Sequence, residues 1–420
     1  MKDVTTDLAR LTASEARAEM RAGRLTSLDL VQACLARIAA RDKEVRAWIT
    51  LNPEAEAQAA AIAPDDPRPL AGIPIAIKDM IDTGDLPTTH NSPLYGTNRP
   101  ANDAPCVEVL RAAGAIVLGK SDTTEFAAAG RWAATANPHD VTRTPGGSSS
   151  GTAAAVGDFH VPLGLGTQTG GSTIRPASFC GDVALKPSWG LISTEGVKRY
   201  SVSLDTIGLF ARSVEDIALL ADVYRLPEAP APGARLRLGL CLTPYADKLE
   251  PETLALFGTL AERLAPVADV IPFDLPEDFA GIDDLHRCVM HSEGAAAFLN
   301  LAVTRPALLH DDFHARVERR AGHTPRQMFE AYDALARLRM TFEEMSKGFD
   351  AILAPSAPGF APPGKGPGNP LFNAMWTALQ VPVMTLPVSG QDLPLGVSLV
   401  GRRAEDRRVI AAAQRVAPLL

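Results

Sequence analysis

Two Gly-Gly-Ser units carry the residues of this sequence whose types and spacing best suit chemistry. They occupy residues 146–148 and 170–172, in a stretch rich in Gly, Ser, Thr and Ala with almost no charge. A serine after two glycines can sit on a tight turn with its hydroxyl exposed, while the neighbouring N–H groups form an anion-binding concavity. Acyl transfer needs such donors where negative charge develops on the tetrahedral intermediate. The units therefore indicate a nucleophile and an oxyanion hole, although a Gly/Ser-rich surface loop has the same composition.

The residues between the two units predict that Ser148 and Ser172 meet in space. Residues 152–156 are Ala-rich and predict a short helix, and residues 161–165 are an apolar run that predicts a strand. Linkers rarely carry such packing residues. The two serines are therefore expected on different turns of one compact unit.

A serine nucleophile needs a base, and the sequence favours Lys78 over any histidine. None of the eight histidines falls in a nucleophile-elbow or metal-ligand spacing. Lys78 ends the apolar run 73–77, which predicts a buried strand that delivers its last side chain to a sheet edge. Burial can lower the pKa of a lysine enough to populate the neutral amine, which accepts a proton. Taken alone, a lysine at a strand end is more often a solvated surface charge.

Three segments in this order resemble the motifs of the amidase signature family. They are Ile-Lys-Asp at 77–79, Gly-Gly-Ser-Ser-Ser-Gly at 146–151 and Gly-Thr-Gln-Thr-Gly-Gly-Ser at 166–172. Further segments that look like parts of the family extend the resemblance over most of the chain: residues 71–82, 119–127, 184–187, 204–216 and 380–399. The resemblance implies an α/β fold, a single large domain over residues 1–420 with a central mixed β-sheet flanked by helices.

The resemblance also implies roles for individual residues. Ser172 would be the nucleophile, Ser148 would relay its proton, and Lys78 would be the base. In this family the residue equivalent to Ser148 typically follows a cis peptide bond. No cofactor and no metal are implied. The backbone N–H groups that would hold the oxyanion are those of Thr169, Gly170, Gly171 and Ser172.

Two positions depart from the family pattern. Gln168 stands where the family usually has Asp, so hydrogen bonds that a carboxylate would accept must be replaced. Arg175 stands one place later than the usual arginine, and Pro176 favours a helix that starts beside the nucleophile. This variant resembles the malonamidase branch, in which Arg175 would clamp a substrate carboxylate in a bidentate fashion. The alternative is that Arg175 pairs with a carboxylate of the protein itself.

Net charge, apolar runs and cysteine spacing indicate which kinds of partner this chain is expected to bind. The formal net charge of −8 and the lack of a basic stripe argue against nucleic acid. No apolar run approaches the length of a membrane span, which argues against a membrane protein. Five cysteines without CxxC spacing fit a reducing cytoplasm. The expected partner is a small-molecule amide, and the resemblance adds a possible homodimer.

A phosphate-loop pattern at residues 114–121 is predicted to be a coincidence. The sequence Gly-Ala-Ile-Val-Leu-Gly-Lys-Ser matches G-x-x-x-x-G-K-[ST], which would indicate nucleotide binding. The four middle residues of a true phosphate loop form a loop, whereas Ala-Ile-Val-Leu is itself a strand-like run. A helix, a connection and a strand explain this segment better.

The remaining pattern predicts alternating helices and strands. Thr12 and Glu15 form a capping box for a first helix, and Asp122 begins a short helix through Ala129. The predicted catalytic core spans residues 65–225, and the mainly helical region 280–347 is predicted to cap the substrate. Further predicted helices cover residues 28–41, 53–63, 105–113, 251–264 and 405–416.

These observations favour an amidohydrolase that cleaves the C–N bond of a small linear amide through an acyl-enzyme and releases ammonia. A carboxylate-bearing substrate such as malonamate is the leading prediction, and biuret-like urea derivatives are neighbouring ones. A second interpretation is the glutaminase-type subunit of a tRNA-dependent amidotransferase. A non-catalytic scaffold is disfavoured because Lys78, Ser148 and Ser172 are all present.

Overall fold

One mixed β-sheet of 11 strands organises the protein. A computed structural model describes residues 8–128 and 130–420, so the remaining residues of the predicted domain lie outside the description. The strands follow the spatial order β1-β3-β2-β4-β6-β5-β10-β11-β9-β7-β8. Their bounds are β1 Trp48–Leu51, β2 Pro74–Lys78, β3 Ile116–Ser121, β4 Leu163–Gln168, β5 Val183–Lys186, β6 Thr206–Ala211, β7 Leu236–Leu240, β8 Ala268–Pro272, β9 Ala351–Pro355, β10 Val383–Pro387 and β11 Gly396–Val400. The predicted fold class is confirmed.

Helices flank this sheet along most of the chain. Those before the middle of the chain are α1 Ala13–Arg21, α2 Ser27–Val45, α3 Ala55–Ala60, α4 Pro105–Ala112, α5 Ser150–Gly157, α6 Ile174–Cys180 and α7 Val214–Val223. Those after it are α8 Pro251–Leu264, α9 Ile282–Thr304, α10 Asp311–Val317, α11 Pro325–Met345, α12 Leu371–Ala378 and α13 Asp406–Val416. No helix in the described ranges has the length and apolar character needed to cross a membrane.

The strands that carry the predicted site are buried along their whole length. Strand β2 lies between β3 and β4 and runs parallel to both. Every residue of β2, β3 and β4 is buried, and so are the three alanines of α5 that cover them. Strands covered on both faces are expected to be apolar throughout. A polar side chain at the end of β2 or β4 is therefore held in a dry, rigid setting.

The region from α9 to α11 is mainly helical, as the sequence predicts. An aromatic cluster joins it to the sheet: the rings of Phe298 and Phe313 are 4.6 Å apart, and Phe126 lies 5.3 and 5.2 Å from them. The division of the chain into a catalytic core and a cap stays a prediction.

Several elements differ from the sequence-based predictions. The helix expected from Asp122 is only a 3-10 turn, Glu125–Ala127, because Phe126 and Ala127 adopt positive φ angles of 50° and 57°; Ala129 lies outside the described residues. Strand β6 is absent from the predictions. Its Gly208 lies so close to Thr173 that a Cβ at that position would overlap the Thr173 side chain, and this close packing requires the glycine that weakens the strand pattern.

Candidate active site

Lys78 ends β2 with a fully buried side chain, which excludes the solvated-charge interpretation. Its Nζ lies 2.7 Å from Ser148 Oγ, 2.8 Å from Thr167 Oγ1 and 3.0 Å from Ser149 Oγ. Burial lowers the pKa of Lys78 well below its ordinary 10.5, Asp205 opposes this change, and the positive charge of Arg175 adds to it. The amine is thus held among hydroxyl groups, and no carboxylate of residues 8–128 and 130–420 forms an ion pair with it.

Three hydroxyl neighbours suit a neutral amine, which donates two hydrogen bonds and accepts one. A hydroxyl can donate as well as accept. The hydroxyl of Ser149 already donates to the Thr167 carbonyl oxygen over 3.2 Å, so toward Lys78 it accepts. Ser148 Oγ lies at the shortest of the three distances, and its hydroxyl can donate a proton to Lys78 Nζ when the amine is neutral.

Ser148 reaches Lys78 from the loop before α5. The Gly147–Ser148 peptide bond is cis, as the family resemblance implies. The Gly147 carbonyl oxygen accepts a hydrogen bond from Arg175 Nη2 over 2.5 Å, and the Ser149 N–H donates to the Ser172 carbonyl oxygen over 3.3 Å. The loop is thereby tied to the second Gly-Gly-Ser unit, and the predicted meeting of the two units is confirmed.

Ser172 lies on the turn between β4 and α6. The carbonyl oxygens of this turn are engaged by other elements: Thr169 O accepts from His286 Nε2 over 2.9 Å, and Gly170 O accepts from Thr377 Oγ1 over 2.8 Å. Within the described residues, the N–H groups of Thr169, Gly170, Gly171 and Ser172 donate to no protein acceptor. The turn therefore presents free donors beside the Ser172 hydroxyl, which is the arrangement that an oxyanion hole requires.

Gln168 replaces the hydrogen bonds that the family's usual Asp would accept. Its Oε1 accepts the N–H groups of Thr173 and Ile174 over 2.9 and 3.1 Å, and its Nε2 donates to Thr377 Oγ1 over 3.0 Å. The neutral amide thus holds the start of α6 as an acceptor and also donates to α12, which an ionised carboxylate cannot do. The departure from the family's usual Asp leaves these bonds satisfied.

Arg175 is a buried guanidinium without an acidic partner. Its side chain is buried with the residue 3% exposed, and burial lowers its pKa to about 9. Apart from the bond to Gly147, its Nε and Nη1 atoms have no hydrogen-bond partner, and no carboxylate of the described residues pairs with it. An ion pair between Arg175 and a carboxylate of the described residues is therefore excluded. A buried, unpaired charge is costly unless a ligand satisfies it.

One cavity of about 180 Å³ joins these groups. All the predicted site residues except Lys78 line it, and Lys78 contacts it through Ser148. Its walls also contain residues that the sequence did not indicate: Thr124, Ala127, Ala128, Tyr200, Met290, Arg316, Pro367, Gly368 and Pro370. Their positions in sequence carry no motif, since they come from five separate connections and helices.

Two supporting residues had a usable signal in the sequence. Thr167 and Gln168 are consecutive in β4, and successive side chains of a strand point to opposite faces. Thr167 accordingly contacts Lys78 while Gln168 contacts α12. Asp205 gave no signal; it is buried, burial raises its pKa to about 6, and its Oδ1 accepts from Thr169 Oγ1 over 2.5 Å.

The phosphate-loop pattern proves to be part of a strand. Gly119, Lys120 and Ser121 lie in β3, and the Lys120 side chain is fully buried, 3.4 Å from Asp79. A lysine in this position cannot reach a phosphate. Across the described ranges, no group of three or more His, Cys, Asp or Glu side chains is arranged to hold a metal ion.

Comparisons with known proteins agree with this geometry. A family model described as amidase matches residues 29–410. A glutamyl-tRNA(Gln) amidotransferase subunit from Chloroflexus aggregans is 33% identical over 98% of this chain and 97% of its own. A crystal structure of an amidase superposes with a TM-score of 0.88 at 28% identity, covering 98% of this chain and 100% of that one. The native peptide amidase from Stenotrophomonas maltophilia gives a TM-score of 0.84 at 29% identity, covering 98% and 97%.

Proposed function

This chain belongs to the amidase signature family and is a hydrolase of amide C–N bonds, and from that premise we propose that its substrate is a small linear amide bearing a carboxylate. Malonamate is the model compound. The cavity beside Ser172 is small, about 180 Å³, which suits a substrate of few atoms. No cofactor or metal enters the proposed reaction.

The unpaired guanidinium of Arg175 carries this proposal. It lines the cavity with Ser172, and two of its nitrogen atoms have no hydrogen-bond partner among the described residues. A carboxylate on the acyl part of the substrate would pair with this guanidinium through charge-assisted hydrogen bonds, which are about twice as strong as neutral ones. A neutral amide of the same shape would leave the guanidinium unpaired, so the site discriminates by charge.

In the proposed reaction Ser172 is the nucleophile, Ser148 is the relay and Lys78 is the base. Neutral Lys78 takes the proton of Ser148 while Ser148 takes that of Ser172, and the Ser172 oxygen attacks the amide carbonyl. The low pKa of Lys78 and the 2.7 Å separation from Ser148 support this order of transfer. The relay then runs in reverse and delivers one proton to the leaving nitrogen, so that ammonia departs and an acyl-enzyme remains.

The oxyanion would be held by the N–H groups of Thr169, Gly170, Gly171 and Ser172. The carbonyl oxygens of Thr169 and Gly170 accept hydrogen bonds from α9 and α12, which hold this turn in place. The N–H donors therefore need little reorganisation when charge develops. Water, deprotonated by the same relay, would hydrolyse the acyl-enzyme and release the dicarboxylate.

The test is ammonia release from malonamate, malonamide, acetamide, biuret and glutamine by the wild type and two variants. We expect Ser172→Ala to lose release from every substrate. Arg175→Gln should lose about ten-fold or more in kcat/KM on malonamate and little on malonamide, because only malonamate offers the carboxylate. Ser150→Ala is the matched control, since the Ser150 hydroxyl donates to Gly146 O and lies outside the cavity lining.

Full activity in Ser172→Ala would refute the nucleophile. An equal loss on malonamate and malonamide in Arg175→Gln would refute the carboxylate clamp while leaving the amidase intact. Preference for biuret over malonamate would move the substrate to the urea derivatives.

A second candidate function is supported by the relatives. Amidotransferase subunits are about one third identical to this chain over almost its whole length. If the chain were such a subunit, it would release ammonia from glutamine only in company with partner subunits. Two results together would favour this function: glutamine hydrolysis appears when co-purifying subunits are added, and the isolated chain does not hydrolyse malonamate.

A further inference from the structure

A second guanidinium, that of Arg316 on α10, lines the cavity with Arg175 and has no role in the proposed reaction. Its Nε donates to the Tyr200 hydroxyl over 2.9 Å. No carboxylate among the described residues forms an ion pair with it. The other edge of its planar fork, formed by the two Nη atoms, is therefore available for a ligand.

Arg316 is held in place through Tyr200. The tyrosine is buried, its ring packs 5.5 Å from that of Phe298, and its N–H donates to Asp205 Oδ2 over 2.7 Å. The other oxygen of Asp205 accepts from the Thr169 side chain. A short chain of contacts thus fixes Arg316 relative to the first residue of the turn that carries Ser172.

The two guanidiniums approach that turn from its two ends. Arg316 is connected to the Thr169 end through Tyr200 and Asp205, whereas the Arg175 guanidinium lies against Gly171, with Nη1 3.2 Å from the point that a Cβ on Gly171 would occupy. Both guanidiniums line the cavity that also contains Ser172. One arginine is therefore suited to the acyl part of a substrate and the other to the part beyond the scissile nitrogen.

The wall around Arg316 leaves room for such a group. Ala127 and Ala128 line it with the smallest side chains that carry a Cβ, and the positive φ of Ala127 turns the backbone at this point. The adjoining cleft is lined by His291, His323 and Arg319 together with Arg316. No acidic side chain of the described residues lines the cavity or this cleft, which favours an anion.

We propose that Arg316 is a specificity-determining residue that binds a carboxylate on the leaving-group side of the substrate. The substrate class is then a secondary amide with one carboxylate on each side of the C–N bond, such as an N-carboxyacyl amino acid. This inference rests on the proposed function. The chemistry is unchanged: the Ser172 Oγ–C bond forms, the C–N bond breaks, the nitrogen takes the relayed proton and leaves as an amino acid, and water releases the dicarboxylate.

The experiment compares N-malonylglycine with N-ethylmalonamate, which differ only in the second carboxylate, and uses malonamate as the reference. We expect the wild type to prefer N-malonylglycine in kcat/KM by about ten-fold or more, since a charge-assisted pair is gained. Arg316→Gln should abolish that preference and leave malonamate hydrolysis nearly unchanged. Arg316→Lys should restore part of it, and Tyr200→Phe should weaken it by releasing the guanidinium.

The outcomes separate this inference from the proposed function. Hydrolysis of malonamate without any preference between the two secondary amides would overturn the role of Arg316 alone. The same holds if Arg316→Gln reduces all three substrates by one factor, because the effect would then be structural. Absence of malonamate hydrolysis in the wild type would overturn the proposed function and this inference together.

Discussion

Lys78 and Lys120 sit on neighbouring parallel strands, and both are fully buried, yet they have opposite surroundings. The register places Lys120 beside Ile77, one residue before Lys78. Lys78 contacts three hydroxyl groups and no carboxylate in the part of the chain that the structure describes. Lys120 lies 3.4 Å from Asp79 and donates to Ile81 O and Thr88 Oγ1 over 2.7 and 2.5 Å.

The comparison teaches that burial alone does not make a lysine into a base. Burial lowers the pKa of both amines. For Lys120 the adjacent carboxylate counteracts this change and stabilises the ammonium, which then serves the fold. The hydroxyl groups around Lys78 are neutral and can donate or accept, so the free amine is tolerated. The type of partner therefore decides between a structural and a catalytic lysine.

The largest expected effect is on activity in Lys78→Met. Removal of a general base typically costs about 10²- to 10⁴-fold in rate, so we expect kcat/KM for malonamate to fall by about 10³-fold. The fold should persist, because methionine fills the space and the three hydroxyls can bond to one another. Activity assays and thermal unfolding measure the two quantities. A large loss of stability with little loss of rate would mean that Lys78 is structural like Lys120.

Lys120→Met should show the reverse pattern. The substitution leaves the Asp79 carboxylate buried without its cation, which costs about 3–5 kcal/mol of the free energy of unfolding. Urea denaturation followed by circular dichroism measures this change. The double variant Asp79→Asn/Lys120→Met removes both charges and should recover part of the loss. Stability equal to that of the wild type in Lys120→Met would contradict a stabilising ion pair.

The sequence predicts one of these two lysines far better than the other. Lys78 could be placed from local pattern, because an apolar run ends at it and the Gly-Gly-Ser units supply a chemical reason for a base. The partner of Lys120 lies 41 positions earlier in sequence, and only the pairing of β2 with β3 brings Asp79 near it. A sequence pattern indicates which face of a helix or strand is buried, but it does not indicate which residues of other elements that face contacts.

The same limit explains the rest of the site. Ser148, Ser172 and Arg175 belong to one continuous stretch whose turns and helices could be predicted. Tyr200 and Arg316 come from a loop and a helix far along the chain, and their meeting depends on how α10 packs against α9. Strand β6 was missed because its glycine Gly208, required for the close contact with Thr173, lowers its strand character.

The smallest expected effect comes from giving Lys78 the surroundings of Lys120. Thr167→Asp would place a carboxylate within reach of Lys78 Nζ, from which Thr167 Oγ1 is now 2.8 Å distant. An opposite charge at that distance raises the pKa of an amine by about 1–3 units. Activity requires the neutral amine, so the acidic limb of the kcat/KM profile should move to higher pH by that amount.

Activity of Thr167→Asp at neutral pH should then fall by about ten-fold or more and recover as the pH rises, because deprotonation restores the base. Thr167→Val, which removes the hydroxyl without adding charge, is the matched control and should leave the position of the limb nearly unchanged. Malonamate suits the measurement, since its carboxylate stays ionised above about pH 5. If the acidic limb of the profile does not move in Thr167→Asp, the protonation of Lys78 does not determine its position. The comparison of the two lysines would then no longer support a catalytic role for Lys78.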